Sequence, residues 1–290
     1  MSERVANILS IAGSDPSGGA GIQADLKAIS ANGGYGMAVL TGLTAQNTQG
    51  VQGVEFVSPD FVAAQIASIR DDIRVDAVKI GMLGTAEIIE AVAKALDGLE
   101  APVVLDPVMV AKGGDRLLHA DAVAALRGVL LPRATVITPN LPEAADLLDE
   151  DEACDLDAME RQARALLDLG ARGVLLKGGH MGEAEAVDLL CEGEGMTRLR
   201  APRHKTGNTH GTGCTLSSGL ATWLGRGDDL SEAAAKAKDY ISAAVGAADD
   251  LQVGHGHGPV HHFHALWEGA LGSPDGLSRL GNVGCGEQGF

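Results

Sequence analysis

KTGNTHGTGCTLSSGLATW, residues Lys205 to Trp223, is the stretch on which the reading of this chain turns. Its second half carries an apolar stripe at helical spacing, Leu216, Leu220, Trp223 and Leu224, which predicts a buried helix beginning near Gly211. Gly211 and Gly213 flank Thr212 at the mouth of that helix. Backbone N–H groups without intrahelical partners and the positive end of the helix dipole converge there, which prepares a seat for a phosphate or a developing oxyanion. Cys214 falls in the first turn, where the same dipole biases a thiol toward thiolate. A glycine pair ahead of a core helix with a buried cysteine is also an ordinary structural device, so the motif needs support from the rest of the chain.

That support comes from an alternation of short apolar runs with amphipathic ones. Val5 to Gly13 (VANILSIAG) reads as a buried strand, and the loop from Ser14 opens a helix that runs through Asn32. Further strands are predicted over residues 37–44, 76–80, 102–106, 134–138 and 173–177, with helices over 59–73, 85–96, 121–130 and 157–169. Short strands at 186–191 and 196–201 lead into the opening stretch, and an Ala-rich helix is expected over 230–251. No repeat or linker divides the chain. The pattern predicts one α/β domain, a mostly parallel central sheet with helices on both faces, over residues 1–267, and a glycine-rich mobile tail over 268–290.

Successive strands end in chemistry. Asp106 closes one, Glu143 follows the next, and Lys177-Gly-Gly-His180 closes a third, all at the carboxyl edge where open parallel sheets bind ligands. Two such carboxylates suit Mg²⁺, which keeps much of its water shell, although each alone is also an ordinary helix cap or surface charge. Gly13 and Gly18 have the spacing of a Walker A loop, but Gly19 and Ala20 stand where its Lys and Ser/Thr belong. Gly19-x-Gly21-x-x-Ala24 fits a relaxed dinucleotide fingerprint, yet the following strand ends in Ala45-Gln46-Asn47 without a ribose-binding acid. The loop therefore suits a small neutral ligand, with Asp25 and Gln46 as polar contacts.

Composition narrows the classes further. The 290 residues are 45% hydrophobic and carry a net charge of −17, with two Trp, two Tyr and four Phe. That balance excludes a nucleic-acid surface, and no apolar run is long enough for a membrane span. Four scattered cysteines suggest neither a disulfide framework nor a zinc ribbon, in keeping with a cytoplasmic protein. Lys177, Lys205 and Lys238 are the local cations that an anionic ligand would need. Five of the nine histidines lie between His255 and His264, but the glycines and proline among them leave no regular element to fix a coordination geometry.

Eight segments, in order and without large gaps, resemble one family. They are IAGSDPSGGAGIQADLK (Ile11 to Lys27), AQNT (Ala45 to Thr48), KIGML (Lys79 to Leu83), DPVMVAKGG (Asp106 to Gly114), TPNLPEA (Thr138 to Ala144), LKGGH (Leu176 to His180), NTHGTGCTLS (Asn208 to Ser217) and VGHGHGPVHHFH (Val253 to His264). Together they are similar to the bacterial hydroxymethylpyrimidine/phosphomethylpyrimidine kinases of thiamine biosynthesis. The resemblance implies a ribokinase-like three-layer sandwich, Mg²⁺, ATP as co-substrate, a homodimer, and two successive phosphorylations of 4-amino-5-hydroxymethyl-2-methylpyrimidine.

It also implies roles. Gly13, Asp25, Gln46, Met82 and Val108 would surround the pyrimidine; the Gln46 amide matches an aminopyrimidine edge, and Met82 and Val108 sandwich the ring. Asp106 and Glu143, with Asn140, would arrange Mg²⁺ and its waters. Asn140, Lys177, Thr209 and Lys238 would contact the nucleotide. Gly211, Thr212, Gly213 and Cys214 would form the anion hole. A Cys214 thiolate acting as base would matter for the hydroxyl acceptor of the first step and not for the ionised phosphate of the second. Gly207 departs from the family, whose members often carry a Lys there. A pyridoxal or pyridoxine kinase is the near alternative, and a non-catalytic vitamin-precursor binder is the alternative from another class. The latter has no use for Asp106, Glu143, Lys177 and the anion-hole glycines.

Overall fold

A computed structural model describes residues 4–109, 120–179 and 185–271. Among these, nine strands form one sheet: β1 (Asn7–Ser14), β2 (Tyr35–Asn47), β3 (Gly50–Phe56), β4 (Ala77–Ile80), β5 (Val103–Leu105), β6 (Val136–Ile137), β7 (Gly173–Lys177), β8 (Glu185–Glu192) and β9 (Gly195–Pro202). Their order is β3-β2-β1-β4-β5-β6-β7-β8-β9. The six strands from β2 to β7 are parallel, and β3, β8 and β9 add antiparallel edges. The chain steps from β1 outward to β2 and then returns to the other side of β1 as β4. This reversal opens a crevice beyond the carboxyl ends of the strands.

Period-two alternation along the buried strands divides the core between two faces. Leu9, Ile11, Val78, Ile80, Leu105, Ile137, Val174 and Leu176 point to one cluster. There they meet α2 (Pro59–Asp72) through Val62 and Ile66, α3 (Ala86–Ala95) through Ile88 and Ile89, α5 (Leu141–Leu148) through Leu141, and α6 (Leu156–Asp168) through Met159 and Leu166. Ile8, Ala77, Val104, Val136 and Leu175 point the other way. They pack against α1 (Gly21–Ala31) through Ile29, α7 (Thr212–Gly225) through Leu216 and Leu220, and α8 (Leu230–Gly246) through Ala233 and Ala237. The layers are those expected of a ribokinase-like sandwich.

Three local expectations change. The strand expected to stop at residue 44 runs to Asn47 and returns as β3, a hairpin that two glycines in GVQGVEF disguise as a loop. The helix expected over 121–130 is α4 (Ala120–Ala125), which widens into a π turn over Leu126–Leu130 before Pro132 ends it. The Ala-rich helix stops at Gly246, and a 3-10 turn covers Ala248–Asp250. An α9 (His264–Leu271) takes up residues 268–271 of the expected tail; residues 272–290 lie outside the described residues, as do His180 and residues 110–114 of the DPVMVAKGG segment. Among the described residues no helix is long and apolar enough to cross a membrane.

Candidate active site

A cavity of about 920 Å³ opens at the carboxyl ends of β1, β4, β5, β6 and β7, with the N-terminus of α7 forming one wall. Its size suits a nucleotide and a small ring together. Its lining includes Gly13, Gln46, Met82 and Val108, then Asp106, Asn140, Glu143 and Lys177, and also Thr209, Lys238, Ile241 and Val245.

Three of these residues form a charged cluster. Lys177 Nζ lies 3.1 Å from Asp106 Oδ1 and 3.9 Å from Glu143 Oε2. Asp106 Oδ1 also accepts from Thr138 Oγ1 at 3.0 Å, and Oδ2 accepts from Ser217 Oγ at 3.4 Å. Burial pushes the Asp106 carboxyl up, but the Lys177 and Lys79 ammoniums outweigh it and hold the group below its ordinary range. Glu143 goes the other way, to about 7, because burial dominates, the Lys177 ammonium only partly offsets it and the Asp106 charge adds to the rise. Lys177 is held above its ordinary value: burial lowers it, and the two carboxylates more than compensate.

Asn140 and Glu143 form a capping box at the start of α5, each accepting at 2.8 Å from the other's backbone N–H. Both expected ligands are therefore fixed by the helix they begin. No group of three or more potential metal-ligating side chains converges among the described residues. Asp106 and Glu143 nevertheless stand side by side against the Lys177 ammonium, two carboxyl groups at one edge of the cavity. That is a fit for Mg²⁺ held through water by one or two carboxylates and the phosphates of a substrate.

The α7 N-terminus supplies the other half. Gly211 is its N-cap, with φ of 78° and no side chain to cap the first turn. A Cβ there would fall 1.8 Å from the Gly19 carbonyl oxygen, so only glycine lets the two loops meet. Thr212 bonds back to the Thr209 carbonyl through its N–H (3.4 Å) and its hydroxyl (2.7 Å). The Gly213 and Cys214 amides then stand at the open end of the helix dipole. A Cβ on Gly213 would lie 3.2 Å from Lys177 Nζ and 3.4 Å from Asp106 Oδ2, which sets the helix mouth directly against the charged cluster.

Cys214 corrects an expectation. It lines the cavity, but burial pushes its thiol up to about 11, with Asp25 and Asp106 adding to the rise and Lys79 only partly opposing it. Burial thus opposes the thiolate bias that the helix dipole alone would give Cys214.

Asp25 is the second correction. It is buried in α1 and is not among the lining residues. Lys79 Nζ holds both its oxygens at 2.8 and 2.9 Å, and Ser10 and Ser218 donate to it at 2.6 and 2.8 Å. With those bonds made, it braces the floor of the pocket and does not touch a ligand. Lys238 does line the cavity, with its ammonium already 2.7 Å from Asp188 Oδ2. Lys205 is exposed and outside the lining.

Asp15, Lys79 and His210 line the cavity and were not singled out from the sequence. Lys79 had a signal, since a charged residue inside the apolar strand DAVKI demands a buried partner. The histidine-rich segment turns out to be a strap. His257 N–H donates to the Thr48 carbonyl, Gly258 N–H to Asn208 Oδ1 and His210 N–H to the Gly258 carbonyl, which ties the β2–β3 hairpin to the loop ahead of α7.

A family profile described as "Phosphomethylpyrimidine kinase" matches residues 15–261. The chain is 55% identical over 262 residues to the "Hydroxymethylpyrimidine/phosphomethylpyrimidine kinase" of Escherichia coli K12, covering 90% of this chain and 98% of that protein. Its fold is similar to an ADP complex of Bacillus subtilis pyridoxal kinase, with a TM-score of 0.84, 41% identity and coverage of 90% and 99%. It is also similar to phosphomethylpyrimidine kinase from Clostridium difficile, with a TM-score of 0.73, 41% identity and coverage of 83% and 99%.

Proposed function

The chain belongs to the phosphomethylpyrimidine kinase family, and from that premise we propose that it phosphorylates 4-amino-5-hydroxymethyl-2-methylpyrimidine and then the resulting monophosphate, using ATP, in thiamine biosynthesis. The observation that carries this reading is the continuity of one cavity. It joins Gln46, Met82 and Val108 to the α7 mouth and the Asp106–Lys177–Glu143 cluster.

The ring would lie between Met82 and Val108 with its edge on Gln46. Gly13 makes the space, because a Cβ there would come 2.2 Å from Met82 Cε. The triphosphate would run from Thr209 to Lys177, placing the transferred group between the Lys177 ammonium and the Gly213 and Cys214 amides. Phosphoryl transfer asks little covalent chemistry of a protein; it needs in-line positioning and fixed positive charge where oxygen charge gathers. Mg²⁺ at Asp106 and Glu143 would neutralise phosphate charge. With the Cys214 thiol pushed up, no side-chain base is assigned: in a loose transfer the acceptor hydroxyl loses its proton late, to an oxygen of the transferred phosphoryl group or to water. A homodimer working in the cytoplasm belongs to the same reading, and light scattering tests the assembly.

A pyridoxal kinase is the second reading, favoured by the similarity to the Bacillus subtilis structure. ADP release with Mg²⁺, ATP and each of hydroxymethylpyrimidine, its monophosphate and pyridoxal separates the two. Turnover of both pyrimidines with little of pyridoxal is expected. Turnover of pyridoxal alone would replace the assignment, and silence with tight pyrimidine binding would favour a non-catalytic binder.

A further inference from the structure

Strand β8 carries a carboxylate where its neighbours are apolar. Val187, Leu189 and Cys191 point into one core cluster and Leu190 into the other, so Asp188 turns toward the α8 side of the sheet, where it is 4% exposed. A charge buried there is costly unless it is paired and hydrogen-bonded. Its two oxygens are divided between two elements. Oδ2 accepts from Lys238 Nζ of α8 at 2.7 Å, and Oδ1 accepts from the Gly178 N–H at 3.1 Å, in the turn that follows Lys177. That turn lies directly on β8, because a Cβ on Gly178 would fall 2.2 Å from the Val187 carbonyl oxygen. The next carbonyl of the turn, that of Gly179, accepts from Arg203 Nη1 at 2.8 Å.

Both elements that Asp188 holds face the cavity. Lys238 begins a stripe on α8, with Ile241, Ser242 and Val245 at i+3, i+4 and i+7, and all four line the cavity, as does Asp188 itself. Gly178 is covalently next to Lys177, whose ammonium meets Asp106 and Glu143. A single carboxylate therefore bridges the elements that carry Lys177 and Lys238. For attracting a phosphate chain the arrangement is counterproductive, since the Asp188 charge offsets that of Lys238. What it supplies is order. A lysine ammonium sits on a flexible four-carbon stem, and one already held in place loses less freedom when a ligand arrives.

We propose that Asp188 is a positioning residue for the nucleotide: it fixes the Lys238 ammonium and, through the Gly178 amide, the strand end that carries Lys177, so that the two cations keep one spacing. This rests on the reading of the cavity as a nucleotide site. Lys238 then acts by direction and not by net charge. With one ammonium hydrogen given to Asp188, two remain for oxygens of the nucleotide.

Calorimetric titration of ADP into the full chain tests this with Asp188→Asn, Lys238→Met and the double variant. Asp188→Asn keeps the shape and an oxygen for the Gly178 N–H but leaves Lys238 without its counter-charge. It should weaken ADP binding tenfold or more, Lys238→Met should do the same, and the double variant should bind within twofold of the weaker single one. ADP bound by Asp188→Asn as tightly as by the parent, or more tightly, would overturn the proposal, because Lys238 would then work by charge alone. Losses that multiply in the double variant would overturn it as well. In Asp188→Asn, KM for ATP should rise at least tenfold while KM for hydroxymethylpyrimidine stays within twofold; equal rises in both would reduce Asp188 to a structural tie and overturn its role. The unsubstituted protein supplies a readout that needs no variant to fold. In ¹⁵N spectra of the lysine ammonium groups, the Lys238 signal should be protected from exchange before ADP is added, and a signal that emerges only with ADP would overturn the preorganisation. A parent that binds ADP but phosphorylates neither pyrimidine would remove the acceptor assignment and leave this proposal standing. A parent that does not bind ADP would overturn both the nucleotide reading and the role proposed for Asp188.

Discussion

Lys79 and Asp25 form a two-pronged ion pair, 2.8 and 2.9 Å long, with neither side chain exposed to solvent. It pins α1 to β4 under the floor of the pocket, and Ser10 and Ser218 use the remaining acceptor sites of the carboxylate. Removing one partner leaves an uncompensated buried charge. Lys79→Met is therefore expected to cost about 3–5 kcal/mol in urea denaturation. The double variant Lys79→Met/Asp25→Asn removes both charges and should recover a large part of that loss; a double variant no more stable than the single one would contradict this account.

Gly211 and Gly213 are two residues apart but should respond oppositely to alanine. At Gly211 the positive φ and the Gly19 carbonyl both oppose a Cβ, so Gly211→Ala is expected to lower stability by about 1–3 kcal/mol and to abolish turnover. Gly213 lies within α7, where alanine favours the helix by up to about 1 kcal/mol. Its Cβ would intrude beside Lys177 Nζ and Asp106 Oδ2. Thermal melts paired with kcat should show Gly213→Ala at least as stable as the parent and markedly slower.

The state of Cys214 can be read by alkylation. With the thiol pushed up to about 11, the reactive thiolate fraction should rise roughly tenfold for each pH unit between 8 and 10. Iodoacetamide labelling of the Cys214 peptide, followed by mass spectrometry, measures the slope, and a rate already flat at pH 8 would restore the thiolate. A neutral thiol also predicts that Cys214→Ser slows both phosphorylations to a similar degree, where a thiolate base would make the first step suffer more.

His262 is buried against Thr215, whose hydroxyl lies 3.0 Å from its Nε2, and burial, with help from Lys27 and His261, depresses it to about 3. Its folded value lies below its unfolded value of 6.5, so the unfolded chain binds the proton more readily. Stability from this group is whole above pH 6.5 and falls by about 1.4 kcal/mol per unit as pH drops toward 3. Denaturation midpoints between pH 7 and 4 should trace that slope, and His262→Gln should flatten it.

The alternation of apolar runs predicted the strands and helices because burial on both sheet faces forces continuous hydrophobic strands. Asp106, Glu143 and Lys177 were readable because a parallel sheet delivers successive strand ends to one edge. Gly211 was readable because only a backbone without Cβ approaches the Gly19 carbonyl so closely. The β3 hairpin was not, since GVQGVEF lacks the density of β-branched residues that marks a strand.

Local order along the chain determined the layers, the position of the crevice and the types of side chain at its rim. Only the tertiary structure decided which of those groups are free to work. Asp25 was available on paper until Lys79, 54 residues away, claimed it. Cys214 stood at a helix dipole until burial, with Asp25 and Asp106 adding to it, outweighed that bias. Asp15 and His210 were unrelated until folding set them 2.8 Å apart across 195 residues. Periodicity is a local property and survives in the sequence, whereas protonation and hydrogen-bond direction depend on neighbours that the chain brings together only on folding.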